Sequence, residues 1–228
     1  MPSCRWRIHK YVKYIWASFK SFVPYGRVLG ARKIMEYKNL TIENFLEKLG
    51  SSDSMPGGGV ASSLVAANGI SLTLMVCNLT IGKEKYKEFE DTVTKVKKEA
   101  EELRKDFLEL MDKDAETFKI MEKVFEMPNA TEEEKKFRKE KMQEACKVCC
   151  TVPKEVIKKV LRGIEITESI IGKSNKSAES DLVVGKNLLE AAKKGAWENI
   201  AINLKYINDE EFVKEYKEWG RKHVSSTI

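Results

Sequence analysis

Residues 56–82 read Pro-Gly-Gly-Gly-Val-Ala-Ser-Ser-Leu-Val-Ala-Ala-Asn-Gly-Ile-Ser-Leu-Thr-Leu-Met-Val-Cys-Asn-Leu-Thr-Ile-Gly, and no residue from Val60 to Ile81 carries a charge. By length alone such a run can cross a bilayer as a helix. However, Ser62, Ser63, Asn68, Ser71, Thr73, Asn78 and Thr80 interrupt it, Gly and Ala are frequent, and no aromatic belt flanks it. A helix apolar all round that does not span a membrane belongs at the centre of a packed bundle. The stretch is therefore read as a central bundle helix, and no membrane partner is expected.

Working outward, Thr41 stands at a helix start before Ile42, Phe45, Leu46 and Leu49, with Gly50 as the stop. Downstream, Val93, Val96, Ala100, Leu103, Phe107, Leu110, Ala115, Phe118, Met121 and Phe125 recur at three- and four-residue steps, which predicts a long helix from about Lys83 to Met127, broken once. Pro128 ends it, and Thr131 with Glu134 forms a capping-box pattern for a helix to about Cys150. Pro153 opens the next, lined by Val156, Ile157, Val160, Leu161, Ile164 and Ile170. Helices from about Ala178 to Lys194, Ala196 to Ile207 and Asp209 to Arg221 complete the chain. No stretch alternates as a strand does. The expected fold class is all-α, a single-domain helical bundle.

The formal net charge of +6 is concentrated at one end. Residues 1–34 hold eight Lys or Arg and no acid, which leaves 33 basic against 35 acidic residues elsewhere. Nucleic-acid binding by the body of the chain is thus unsupported. Lys13 and Lys20 interrupt the apolar stretch of this tail, so it reads poorly as a secretory signal. Residues 1–34 are expected to be a basic extension outside the fold, with residues 35–228 forming the domain and Met35 its natural first residue. Five cysteines, odd in number and mostly within apolar helical stretches, make no disulfide framework and suit a reducing cytoplasm. Cys146, Cys149 and Cys150 lack a fourth ligand at zinc spacing, so no metal is expected.

Three features could carry chemistry. The glycines Gly57, Gly58 and Gly59 stand directly before the uncharged helix, where backbone can approach a ligand closely and unpaired amides favour an anion or carbonyl oxygen. A nucleotide phosphate loop is disfavoured, because no Gly-Lys-Ser/Thr follows and no strand precedes. A tight connection for close helix packing is the plain alternative. Asp114 shares a helix face with Leu110, Met111, Phe118 and Met121, so it points inward, as a structural pair or as an acid/base group with a raised pKa. Asp181 is either a helix-start cap or a second functional acid. Asn199 and Asn203, four apart, stack on one face among apolar neighbours, and suit either a polar ligand or an interhelical hydrogen bond.

As a set these segments resemble the cyclodeaminase domain of formimidoyltransferase-cyclodeaminase and the stand-alone bacterial cyclodeaminase/cyclohydrolase proteins. The pieces, in order, are Pro56 to Gly59, Leu79 to Gly82, Asp112 to Phe118, Met127-Pro128, Val152-Pro153, Ser180-Asp181-Leu182, and Gly195-Ala196 through Asn199 to Leu204. The likeness covers Met35 to about Lys217. One departure is Val60, where that family usually has Ser. Ser62 and Ser63 lie about 200° and 300° around the helix from that position, so the loop is expected to act through backbone amides.

The resemblance implies a homodimer that binds a tetrahydrofolate derivative as substrate, with no metal or tightly held cofactor and with a formimidoyltransferase as a possible partner. It implies formimidoyltetrahydrofolate cyclodeaminase activity, with 5,10-methenyltetrahydrofolate cyclohydrolase as the alternative. A non-catalytic helical scaffold, in which the loop and acids are packing features, is the reading from another class. On this basis Asp114 and then Asp181 are the expected proton-transfer residues. Asn199 and Asn203 would orient the ligand, and Pro56, Gly57, Gly58 and Gly59 would hold it.

Overall fold

The computed structural model describes residues 36–224, and the expectations for residues 1–34 lie outside them. Among the described residues the regular structure is helical. It comprises α1 (Ile42–Leu49), α2 (Gly58–Thr80), α3 (Glu90–Phe125), α4 (Glu132–Cys149), α5 (Thr151–Ser169), α6 (Glu179–Leu204) and α7 (Glu210–His223), with short 3₁₀ turns at Tyr37–Asn39, Glu84–Phe89 and Lys176–Ala178.

The uncharged helix α2 lies between α3 and α6, and three-fifths of its most apolar window (61%) is buried within the bundle. Its length and composition would suit a membrane span, but its partners here are other helices. Val60, Ser63, Ile70, Thr73, Val76 and Cys77 have no exposed surface at all. Buried hydroxyls along it are satisfied: Thr73 and Thr167 of α5 share a hydrogen bond of 2.7 Å, while Thr80 donates to Val76 O and accepts from Asn175 N. The core can therefore hold these polar groups without the cost of an unpaired one.

Helices α2 and α6 run antiparallel and nearly touch. A Cβ on Gly69 would stand 2.8 Å from Gly185 O, and one on Gly185 would stand 2.8 Å from Gly69 O. Ser62 and Gly195 make a second close approach 10 residues along α6. Here the structure corrects the expected division at residue 195. Residues 179–204 form one continuous helix, because Gly195 serves as the flat spot against which Ser62 packs and not as a stop. Asp181 does not cap α6 either: it sits in the first turn, after Ala178 at the cap position, while Asn175 caps the preceding 3₁₀ turn.

The expected interruption of the long helix falls at its beginning, where residues 84–89 form a 3₁₀ turn before α3 runs unbroken for 36 residues. The capping box of α4 is present in both directions, with Glu134 N donating to Thr131 Oγ1 and Thr131 N donating to Glu134 Oε2. Between α4 and α5 only Cys150 intervenes. Pro153 has no N–H for the carbonyl of Cys149 and its ring crowds that carbonyl, which breaks the helix there.

The contact at Gly69 and Gly185 yields a stability prediction. An alanine inside a helix ordinarily gains roughly 1 kcal/mol over glycine. At Gly185 the added methyl meets backbone that cannot give, so Gly185→Ala is expected to lower the melting temperature by several degrees, as overpacking of roughly 1–3 kcal/mol does. A melting temperature equal to or above wild type would overturn the backbone contact.

Candidate active site

A cavity of about 430 Å³ opens where the N-terminus of α2 meets α3, α4 and the C-terminal part of α6. That volume suits a drug-sized or cofactor-sized ligand. Its walls are Phe118, Met121 and Phe125 from α3, Met142, Cys146 and Cys149 from α4, Pro153 from α5, and Asn199, Ile202 and Asn203 from α6. Sulfur and aromatic groups dominate them, polarisable surfaces that favour a flat ring. At the mouth Phe125, Ile202 and Tyr206 are 53%, 47% and 60% exposed, an apolar rim left open to solvent.

The glycine loop forms one end. Gly57 caps α2 without a side chain, and the first intrahelical bond runs from Ala61 N to Gly57 O. The amides of Gly58, Gly59 and Val60 therefore have no partner within the helix. The loop before them is held by Ser54 Oγ donating to Glu122 Oε1 at 2.5 Å and by the Lys48–Asp53 ion pair. Pro56 is buried behind a cis Met55–Pro56 bond and does not line the cavity, whereas Gly57, Gly58 and Gly59 do. Val60 is fully buried on the far side with Tyr37, Phe45, Met111 and Ala115. Ser62 and Ser63 donate to Gly58 O and Gly59 O, so neither hydroxyl proton is offered to a ligand.

Asp114 reaches this end from α3, and Gly59 makes room for it. A Cβ on Gly59 would lie 2.7 Å from Asp114 Cγ, inside the space the carboxylate occupies. Burial raises the Asp114 pKa to about 6. Asn199 sits beside the preceding residue, with its carboxamide oxygen 3.4 Å from where a Gly58 Cβ would be. Asn203 stands one turn further along α6 and also lines the cavity. The structure thus brings together Gly57, Gly58, Gly59, Asp114, Asn199 and Asn203. It does not bring Asp181, which lies half-buried in the first turn of α6, roughly 27 Å along the helix from Asn199.

Sequence reading left several participants out. Asp112, two residues before Asp114, accepts from Tyr37 N at 2.7 Å and forms a 3.3 Å ion pair with Lys38, pinning the chain before α1 against α3. Its bearing, about 200° from Asp114, was the available signal. Cys146 and Cys149 line the cavity as neutral thiols, since burial raises both and pushes Cys149 to about 12 with help from the Asp114 charge. Tyr206 is presented by a turn that Gln143 fastens, donating to Tyr206 O and accepting from Asn208 N.

The sequence profile described as Formiminotransferase-cyclodeaminase matches residues 41–221. The chain belongs to this family. It is 37% identical to the methenyltetrahydrofolate cyclohydrolase of Methylorubrum extorquens over 78% of this chain and 85% of that protein. It is 30% identical to the formimidoyltransferase-cyclodeaminase of Gallus gallus, spanning 75% of this chain but only 32% of that longer protein. A solved structure, the formiminotetrahydrofolate cyclodeaminase of Thermotoga maritima, superposes with a TM-score of 0.72 at 30% identity, covering 82% of this chain and 90% of that one.

Within this member of the family, the contact between Gly59 and Asp114 makes a direct prediction. Gly59→Ala should keep the fold, because the residue has ordinary helical geometry, but its methyl must push the carboxylate aside. Turnover of the family's folate substrates is expected to fall at least about tenfold, with a melting temperature close to wild type. Unchanged turnover would show that the position of Asp114 against the loop is immaterial.

Proposed function

We propose that this protein is a tetrahydrofolate one-carbon enzyme in which Asp114 transfers the proton, and that its leading activity is formimidoyltetrahydrofolate cyclodeamination. The observation that carries this reading is the buried carboxylate of Asp114, poised near neutrality at the end of a cavity of suitable size. In cyclodeamination the distal folate nitrogen attacks the formimino carbon. That nitrogen loses a proton, the amino group gains one, and ammonia leaves to give 5,10-methenyltetrahydrofolate. One carboxylate can relay that proton and face the cationic carbon, and a pKa near the working pH favours both halves of the transfer. The free amides of Gly58, Gly59 and Val60 would hold an oxygen of the ligand. No resident cofactor is needed for these steps.

The second reading is 5,10-methenyltetrahydrofolate cyclohydrolase. Its support is the 37% identity to a cyclohydrolase of which the chain spans 85%. There water adds to the methenyl carbon, gives up a proton, and one carbon–nitrogen bond opens after the nitrogen is protonated. Asp114 serves the same relay.

The test is Asp114→Asn, which keeps shape but cannot take a proton. Turnover should fall by roughly a hundredfold or more while the affinity for tetrahydrofolate analogues, read by thermal shift, changes little. In wild type the acid limb of the rate profile should lie near pH 6. The stability sign follows from the same shift. Below about pH 4 the acid is neutral both folded and unfolded, so the variant and wild type match. Between pH 4 and about 6 the unfolded chain ionises first, wild type loses stability, and above that range Asn should melt higher. A folate-binding variant with near-normal rates in both assays would remove Asp114 from the mechanism. Absence of folate binding and of both activities in wild type would instead favour a scaffold.

We also propose a cytoplasmic homodimer. The four described cysteines are all free thiols, as a reducing compartment allows. The outer stripe of α2 carries no charge and exposes Met75 and Leu79, and α6, packed against α2, exposes Val183 and Val184. Exposed apolar side chains on two packed helices suit a self-complementary interface. A separate formimidoyltransferase as partner is supported by relatives named for both activities in one longer chain. Sedimentation is expected to show two chains at micromolar concentration, and a monomer there would remove the dimer.

A further inference from the structure

Three of the side chains that line the cavity have their donors turned away from it. Ser54 Oγ donates to Glu122, Thr117 Oγ1 to Lys113 O, and Cys149 Sγ to Thr117 O. The two carboxamides each commit one N–H in the same way. Asn199 Nδ2 donates to Gly195 O at 2.8 Å and Asn203 Nδ2 to Asn199 O at 2.7 Å. A backbone carbonyl can only accept, so in both residues the helix holds one N–H of the NH₂, and the oxygen is left over together with the second N–H. Among the described residues neither oxygen accepts a hydrogen bond.

Charge points the same way. Among the described residues Asp114 lines the cavity, and no Lys, Arg or His does. The remaining titratable groups facing it are the thiols of Cys146 and Cys149, held neutral by burial, and Tyr206 at the exposed rim. Asn199 and Asp114 abut consecutive residues, Gly58 and Gly59, with the Asn199 amide nitrogen 3.2 Å and its oxygen 3.4 Å from where a Gly58 Cβ would be, so the carboxamide and the carboxylate serve one end of the cavity.

The geometry points to Asn199 as a specificity-determining acceptor that holds the N–H of the cationic one-carbon group, at the nitrogen that departs as ammonia. This rests on the folate reading above and deepens it. A protonated formimino group offers a positive charge together with N–H donors, the complement of a carboxamide oxygen beside a carboxylate. The methenyl cation offers the charge but no N–H at its reacting carbon. Asn199 therefore distinguishes the two substrates, whereas Asp114 serves both.

The test compares Asn199→Leu and Asn199→Asp with wild type in two assays, ammonia release from 5-formiminotetrahydrofolate and hydrolysis of 5,10-methenyltetrahydrofolate. In Asn199→Leu, kcat/KM for cyclisation is expected to fall at least about tenfold more than kcat/KM for hydrolysis. Asn199→Asp keeps the acceptor, so it should retain much more cyclisation than Leu. Its added charge beside Asp114 should move the acid limb of the rate profile to higher pH. Equal losses in both reactions, accompanied by a lowered melting temperature, would mean that Asn199 only braces α6 and would overturn the inference. So would Asn199→Asp being no better than Leu, or a wild type that hydrolyses but does not cyclise, although that last outcome leaves the broader folate reading standing. A wild type with neither activity removes that reading itself.

Discussion

The carboxylate of Asp114 rests on Gly59 with no side chain between them, and the site depends on that approach. It requires α2 to begin with residues lacking a Cβ, and α3 to pass close by that beginning. It also requires α6 to come alongside, which it does through Gly185 against Gly69 and Gly195 against Ser62. Close backbone approach is thus used twice along one helix. At the N-terminal end it admits the buried carboxylate of Asp114, and further along it draws α6 near enough for Asn199 to reach Gly58.

An acid in such a place is held at a cost. Burial raises its pKa to about 6, so at neutral pH the protein carries a partly desolvated charge. Burial alone sets that shift, with no hydrogen bond or neighbouring charge lowering it. Among the described residues no cation lines the cavity to neutralise the charge. An arrangement that would be poor for stability alone is well suited to a cationic ligand, which supplies the missing charge on binding. The thiols and methionines around it add polarisable surface without competing for the proton, because burial keeps Cys149 protonated far above neutral pH.

The exposed side of α2 raises a separate constraint. A helix without a charge over 23 residues cannot present a wet face of ordinary composition. Its inner side is covered by α3, α5 and α6, but Met75, Leu79, Val183 and Val184 still stand outside. The same helix therefore couples the site at its beginning to an outer surface along its length.

Much of this architecture was legible in the residues. Three- and four-residue steps of Val, Leu, Ala and Phe mark α3, the Thr131–Glu134 box marks the start of α4, and Thr41 marks α1, because helix periodicity and end capping are local physics. The bearing of Asp114 could be drawn from helix geometry alone. Gly195 could not be read correctly, since a glycine that ends a helix and one that admits a neighbour look alike until the neighbour is known. The opposite duties of Asp112 and Asp114 were likewise invisible, as each is defined by a partner far away in the chain, Tyr37 and Lys38 for one and Gly59 for the other. Asn199 and Asn203 could be placed on one face. Which end of each carboxamide meets the cavity depends on the i−4 carbonyl and on where α6 sits. The sequence by itself determined the helices, their inward faces and the family resemblance, because these rest on short-range periodicity and ordered motifs. Only the tertiary structure decided which glycine admits which side chain, why Asp181 stands apart, and that Asp114, Asn199 and the glycine loop share one cavity, because those are matters of distance between segments that the chain order does not encode.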